Sequence, residues 1–368
     1  MILIGKRNIL LWPLSLIYGL VTGLRNFLYN TGVLGSREFH LPVICVGNIT
    51  VGGTGKTPHC EYLIDLLKDR FRVALLSRGY RRKTKGFLMA GPTSGAVEIG
   101  DEPAEIKARF PDVTIAVDGN RARGIENILR EKPDVEVIIL DDGFQHRSVT
   151  PGLSILLTDY SRLMIHDYLL PYGELRESPK NMSRADIILV TKCPPDLSPI
   201  QRRIVVKDMK KAAYQNLYFT TYKYGNPLPV FKSSVYYGND SEGFEQKSIS
   251  GVLILSGIAN PAPFNEYIKT MFAETRKLNY PDHHNFGEDD LRRIEAELAT
   301  LPAGRRLILT TAKDAVRLRE IADKVTEELK KIFYYIPVQV DFLNDDRDEF
   351  NRLITEYVRK NKRNNRIS

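Results

Sequence analysis

Gly47-Asn48-Ile49-Thr50-Val51-Gly52-Gly53-Thr54-Gly55-Lys56-Thr57-Pro58 is the stretch on which the fold turns. Before it stands a short apolar run, Val43-Ile44-Cys45-Val46, bounded by Pro42. After it, residues 61–70 carry apolar side chains at Leu63, Ile64, Leu66 and Leu67. The run reads as a buried parallel strand and the spacing behind it as a helix. Strand, glycine-rich loop and helix in this order make a phosphate cradle. Gly52, Gly53 and Gly55, with Thr54 between them, let backbone N–H groups turn inward around phosphate oxygens at a helix N-terminus, where the dipole also favours anions. Lys56 is placed to reach the β- and γ-phosphates, and the Thr57 hydroxyl to ligate Mg²⁺. The strict G-x-x-x-x-G-K-[ST] pattern asks for glycine at position 50, where this chain has Thr50. The core instead looks like the variant loop of partition-type P-loop proteins. A dinucleotide fingerprint fails, because its third glycine falls on Pro58, a residue suited to the first turn of a helix.

A phosphate loop predicts a second strand that ends in a magnesium carboxylate. Val135-Glu136-Val137-Ile138-Ile139-Leu140 leads into Asp141-Asp142-Gly143-Phe144-Gln145-His146, which puts two carboxylates at the carboxyl edge of a buried strand, where open α/β sheets bind ligands. Further strands are expected at 72–77, 113–117, 154–158 and 186–191, alternating with helices such as 104–109 and 121–130. That alternation predicts an α/β fold with a doubly wound, mainly parallel P-loop sheet over 41–223. Residues 224–250, crowded with glycine, proline, asparagine and serine, read as a linker. Strands at 252–255, 306–310 and 333–340, with helices near 263–272, 289–300 and 315–331, predict a second, smaller α/β domain over 251–345. A helix from 346 and a basic tail close the chain at 368.

The 368 residues are enough for two domains with their own cores. Lysine and arginine outnumber aspartate and glutamate by 53 to 45, an excess that favours anionic partners without choosing among them. Cys45, Cys60 and Cys193 stand in no metal-ligand spacing and read as reduced, cytoplasmic thiols.

Residues 1–40 form an apolar opening. No charge occurs from Asn8 to Leu24, between Lys6-Arg7 and Arg25, yet Pro13, Gly19 and Gly23 interrupt the segment. It is slightly short of the ~20 residues a spanning helix needs. Basic flanks with Trp12 and Tyr18 among aliphatics suit a helix lying in the interface of an anionic leaflet, and a buried core helix is the alternative. A secretory signal is rejected, since no small-residue cleavage site follows. The tail Arg359-Lys360-Asn361-Lys362-Arg363 reads either as a second lipid contact or as a solvated end.

Taken in order, the P-loop stretch, Ser77-Arg78-Gly79-Tyr80, Gly100-Asp101-Glu102-Pro103, Asp141 to His146 and Leu170-Pro171-x-Gly173-x-Leu175-Arg176-Glu177 resemble the tetraacyldisaccharide 4′-kinase (lipid A 4′-kinase) family. Ser256 to Pro261, Asp282-His283-His284 and Thr311-Ala312-Lys313-Asp314-Ala315 extend the resemblance to about residue 345. It implies transfer of the γ-phosphate of ATP to the 4′-hydroxyl of a tetraacyldisaccharide 1-phosphate, with Mg²⁺, at the cytoplasmic face of the bacterial inner membrane. A four-chain lipid leaves a bilayer at a cost of ~0.8 kcal/mol per CH₂, so its kinase must come to the membrane, peripherally, through the N-terminal helix.

The resemblance also implies roles. Asp101 is the base for the attacking hydroxyl, paired with His283, although His284 is open as the functional histidine. Thr57, Asp141 and Glu102 serve the metal. Asp142, Arg121, Arg176, Glu177 and Arg78 lie near phosphates or sugar. Read alone, Asp101 before Glu102-Pro103 reads as a helix N-cap, and the arginines as solvated charges. The cluster Arg78, Arg81, Arg82 and Lys83 is open between the lipid's 1-phosphate, headgroups and a solvated loop. No nucleic-acid partner is expected, and the chain is read as a monomer. The competing reading is a membrane-associated P-loop switch ATPase or GTPase, which has no use for an acceptor-binding second domain.

Overall fold

The structure, a computed structural model, describes residues 8–231 and 248–364. Lys6 and Arg7, residues 232–247 of the expected linker, and the side chains of Lys362 and Arg363 lie outside the described residues. A 3-10 turn (Ile9–Leu11) runs into helix α1 (Trp12–Asn30). There follow β1 (Val43–Gly47), α2 (Lys56–Leu67), β2 (Val73–Ser77), β3 (Leu88–Met89), α3 (Ala96–Ile99), α4 (Asp101–Arg109), β4 (Thr114–Val117), α5 (Arg121–Glu131) and β5 (Val137–Asp141). Next come β6 (Leu153–Asp159), β7 (Ile187–Thr191), α6 (Pro199–Met209), β8 (Asn216–Tyr224) and β9 (Leu228–Pro229). The second half holds β10 (Gly251–Ser256), α7 (Ala262–Met271), β11 (Thr275–Asn279), α8 (Glu288–Ala299), β12 (Arg306–Thr311) and α9 (Ala312–Glu320). It ends with α10 (Glu327–Ile332), β13 (Phe333–Ile336), β14 (Val338–Phe342) and α11 (Asp346–Asn364).

Two sheets result. The larger has the order β14-β8-β7-β6-β1-β5-β2-β4-β3, and its ladders from β8 to β4 are parallel, as the alternation of strand and helix requires. β1, β5 and β7 are buried at every position, because helices cover both faces. β1 sits between β5 and β6, so the chain leaves it at a point where the winding reverses. The glycine-rich loop occupies that crevice. On one face, Leu63, Ile64 and Leu67 of α2 share a core with Phe350, Ile354 and Val358 of α11.

The smaller sheet, ordered β11-β10-β12-β13-β9, carries a core of its own around Leu253, Leu255, Ile308, Phe333 and Ile294. Three features depart from the expected layout. The strand expected at 333–340 is two strands, since Pro337 has no N–H to continue a ladder. β13 stays in the smaller sheet, while β14 crosses to the larger one and pairs antiparallel with β8. Residues 228–229 of the expected linker likewise form β9, the edge of the smaller sheet. The helix expected over 315–331 is also two, α9 and α10. Its start lies at Ala312, where Thr311 caps the backbone N–H of Asp314.

Candidate active site

The loop between β1 and α2 is braced from three sides. Gly55 takes φ 90°, the left-handed region, and a Cβ there would lie 2.0 Å from the Tyr222 hydroxyl of β8, so only glycine fits. The Thr191 hydroxyl donates to the Thr54 carbonyl at 2.8 Å, and Lys192 reaches both the Gly53 carbonyl and, at 2.8 Å, Asp159. His59 of α2 hydrogen-bonds the Gly55 carbonyl through Nδ1 at 2.7 Å and the Thr220 hydroxyl through Nε2 at 3.0 Å. A carbonyl only accepts, so Nδ1 bears the proton and Nε2 accepts from Thr220. Burial of this ring pushes its pKa down to about 4, against the lift from its bond to Gly55. Thr191 and Lys192, at the carboxyl end of β7, thus reach the loop itself.

At the end of β5, Asp141 and Asp142 face different surroundings. Asp141 is fully buried, with Oδ2 accepting from the Ser77 hydroxyl at 2.9 Å and Oδ1 3.7 Å from the Cys60 thiol. Burial and the neighbouring Asp142 charge raise its pKa, against Lys56. Asp142 turns outward at φ 49°. It lies 3.4 Å from Lys56 Nζ and 3.2 Å from Arg176 Nη1. Burial works against its ionisation, but Lys56 and Arg176 together hold its pKa below the usual carboxylate range. The carboxylate that meets solvent beside Lys56 is therefore Asp142. Arg121, expected near phosphate or sugar, is wholly enclosed. Its guanidinium donates to the carbonyls of Asp118 at 2.5 Å and Asp141 at 3.0 Å, so it pins the turn that carries the two aspartates.

Asp101 opens α4 and meets the smaller domain. Its Oδ2 accepts from His283 Nδ1 at 2.7 Å and from Arg317 Nη2 and Nε at 2.7 and 3.1 Å. Among the described residues Oδ1 has no protein partner. Burial raises the Asp101 pKa, and the bonds and charge of Arg317, then His283 and Lys313, reverse the balance and hold it low. His283 sits at φ 60°, a costly conformation for a side chain bearing a Cβ and one concentrated at functional sites. Its Nε2 faces Lys313 Nζ at 3.3 Å. His284 instead stacks on Tyr280, with centroids 4.4 Å apart, and bonds Asp290 at 2.9 Å, inside the smaller domain. Of the adjacent pair, His283 is the one brought to Asp101.

Glu102, next along α4, has its pKa raised by burial and by the Asp141 charge, with Lys56 and Lys313 opposing. It feels the phosphate loop on one side and the smaller domain on the other. Glu177, expected beside phosphate or sugar, is 1% exposed and engaged with α1 and the segment after it, away from solvent. Arg78 lines a cavity of about 420 Å³ with Arg81, Arg82, Lys85 and Arg123, against a single carboxylate, Asp118, which Arg123 already pairs. Tyr80 joins this cavity to the site, since its ring stands edge-on to His283 at 5.8 Å.

Among the described residues no three His, Cys, Asp or Glu side chains form a ready cation cage. The Thr57 hydroxyl and the carboxylates of Asp142, Asp141 and Glu102 are hard oxygen donors. They fit Mg²⁺, which keeps waters and needs one or two carboxylates beside phosphate oxygens. Arg317 escaped the reading of the sequence, because nothing in its spacing ties it to Asp101, 216 positions earlier.

A family model described as tetraacyldisaccharide-1-P 4′-kinase (LpxK) matches residues 7–359. The chain is 47% identical over 362 residues to the tetraacyldisaccharide 4′-kinase of Bacteroides thetaiotaomicron, covering 97% of this chain and 95% of that one. Against the enzyme of the same name from Porphyromonas gingivalis it is 42% identical over 350 residues, with 94% and 96% covered. The solved structure of LpxK from Aquifex aeolicus, an "apo" form in complex with ATP, superposes with a TM-score of 0.72 at 29% identity, covering 95% of this chain and 98% of that one.

Proposed function

The chain belongs to the tetraacyldisaccharide-1-phosphate 4′-kinase family, and from that membership we infer the reaction: the γ-phosphate of ATP passes to the 4′-hydroxyl of a tetraacyldisaccharide 1-phosphate in lipid A biosynthesis. The observation that carries the residue assignment is the meeting of Asp101, from the larger domain, with His283 and Arg317, from the smaller, beside a phosphate loop.

Phosphoryl transfer passes through a loose transition state, so positioning and charge neutralisation do most of the work. Backbone N–H groups of Gly52 to Lys56 cradle the phosphates, and Lys56 lies against the γ-phosphate once ATP draws it from Asp142. Thr57, with Glu102 and the Asp141-Asp142 pair, would hold Mg²⁺, Asp142 being the member open to solvent and Asp141 the one behind it. When bound, Mg²⁺ neutralises charge developing on the β- and γ-phosphates.

Asp101 handles the nucleophile. Its Oδ2 is taken by His283 and Arg317, which leaves Oδ1 to accept the hydrogen of the 4′-hydroxyl. The 4′-oxygen bonds to phosphorus, the bond from the γ-phosphorus to its bridging oxygen breaks, and ADP leaves. The hydroxyl proton ends on Asp101. A carboxylate held below its usual pKa is a weak base, which suffices when the proton moves late, after the bond to the leaving group has loosened. His283 keeps its Nδ1 proton on Asp101, and its Nε2 accepts from Lys313, so the ring carries positive field from Lys313 to the carboxylate.

The cavity with Arg78 and Arg81 suits the acceptor's 1-phosphate, since Tyr80 joins it to His283. α1 seats the enzyme on the cytoplasmic leaflet as a monotopic anchor. Ile9, Leu10, Leu16, Ile17, Leu20, Val21 and Phe27 are each at least half exposed, while Ser15, Tyr18, Asn26 and Arg25 face the folded domain along the length of the helix. A helix held along its length lies in the interface. All of these residues come from one chain, which is read as acting as a monomer.

Labelled γ-phosphate offered with tetraacyldisaccharide 1-phosphate in detergent micelles tests the reading. Wild type is expected to label the lipid, with Lys56→Ala and Asp101→Ala each slowed roughly 10²- to 10⁴-fold. Release of inorganic phosphate without labelled lipid would favour a switch ATPase and refute the kinase.

A further inference from the structure

Glu177 is buried at 1% exposure and far from idle. Oε1 accepts from Arg25 at 2.9 Å. Oε2 accepts from Asn26 at 3.2 Å, Asn181 at 2.8 Å and Arg184 at 2.6 Å. Arg25 and Asn26 belong to α1, and the other two donors to the 3-10 segment Pro179–Arg184. Its backbone neighbours carry the connection onward. The Tyr18 hydroxyl of α1 donates to the Arg176 carbonyl at 3.0 Å. The Ser15 hydroxyl donates to the Leu169 carbonyl at 2.5 Å and accepts from the Tyr172 N–H at 3.0 Å. Residues 169–177 are thus strapped to the helix at both ends.

The other edge of this strap is laid on the phosphate loop. Arg176 N–H donates to the Ile49 carbonyl at 2.7 Å, and Val51 N–H to the Glu174 carbonyl at 2.7 Å, a short antiparallel pairing around Thr50 and Leu175. The Arg176 side chain then bonds Asp142. From α1 to the phosphate loop and Asp142 the path is one of direct hydrogen bonds, and the Glu177 clamp stands next in the chain to Asp142's partner, Arg176.

We propose that Glu177 is a positioning residue: it fixes α1 against the strap 169–177 and through that strap sets the phosphate loop and Asp142 for nucleotide. The membrane helix is thereby part of the nucleotide site's scaffold as well as an anchor. Glu177 touches neither phosphate nor sugar. Its carboxylate is needed because it is itself buried and four donors converge on it, two of them guanidinium groups and one the buried Asn26 amide.

The inference rests on the reading that residues 48–57 bind nucleotide, and the test separates the two. The full chain in detergent micelles, free of acceptor lipid and of any bilayer, is titrated with ATP and magnesium by calorimetry, well below the unfolding temperature of each variant. Glu177→Gln removes the charge that Arg25 and Arg184 share. Tyr18→Phe removes one hydroxyl at a half-buried position and leaves the packing intact, so it reports even where Glu177→Gln folds poorly. The expected result is a weaker ATP dissociation constant by about three- to ten-fold for Tyr18→Phe and by more for Glu177→Gln. Wild-type affinity in both folded variants, with only sedimentation on phosphatidylglycerol vesicles reduced, would make Glu177 a fastening for the anchor alone and overturn the proposal. No ATP binding by the wild type would remove the nucleotide reading, and the proposal with it.

Discussion

Arg317 gives both Nη2 and Nε to one oxygen of Asp101, at 2.7 and 3.1 Å, from a side chain 3% exposed and rooted by Asp314 and the Gly257 carbonyl. The Asp101 carboxylate is thus tuned by a residue of the other domain. Burial alone would raise the Asp101 pKa; Arg317 is the strongest opposing influence. In the proposed role Asp101 acts as an anion, so activity should fall as pH drops through its folded pKa, and the depressed value should place that acid limb at low pH. Arg317→Lys keeps a charge for Asp314 but loses the two-pronged bond. The acid limb of kcat/KM should then move to higher pH. A limb that stays in place, measured on the variant in micelles, would remove Arg317 from the tuning of the base.

The cavity beside Tyr80 carries a second expectation. Arg81 and Lys85 are exposed there, with no carboxylate partner among the described residues. Reversing either charge should raise KM for the lipid about ten-fold or more, since bonds to a charged group are worth ~1.5–3 kcal/mol, and leave KM for ATP near its wild-type value. An acceptor lacking the 1-phosphate should show no such penalty. If it suffers equally, the cavity does not bind that phosphate.

His59 makes stability depend on pH. Its folded pKa of about 4 lies below the ordinary 6.5, so between those values the unfolded chain binds a proton that the folded chain does not. The contribution is complete above pH 6.5 and is lost as pH falls towards 4, by ~3 kcal/mol at most. Urea unfolding of wild type and His59→Gln at pH 7.5 and pH 5 should show the larger loss in wild type. Equal losses would mean that His59 is not held neutral between Gly55 and Thr220.

Much of this architecture is written locally. Residues 43–58 announce strand, loop and helix because each step has its own residue chemistry, and Asp141-Asp142 behind an apolar run marks the opposing strand end. What escaped is what depends on partners distant in the chain. Nothing beside Glu177 foretells that it turns to Arg25 and Asn26, 152 and 151 positions away, and not to the open site. Arg121 looks like any helix-opening arginine until two strand-end carbonyls enclose it. Pro337 breaks the single strand expected over 333–340, and the division of the two pieces between two sheets is decided by β8 and β12, the partners that await them.

That division has a mechanical result. The segments 216–229 and 333–342 run antiparallel to each other from one sheet to the other. Val338 pairs with Tyr224 on one side, Tyr335 with Leu228 on the other, and Gly225 N–H bonds the Pro337 carbonyl at 2.9 Å where they cross. A laddered two-strand ribbon resists torsion and shear far better than a single linker does, and yields chiefly by flexing out of its plane. Any opening of the cleft therefore has to flex this ribbon, and the smaller domain's His283, Lys313 and Arg317 would leave Asp101 together.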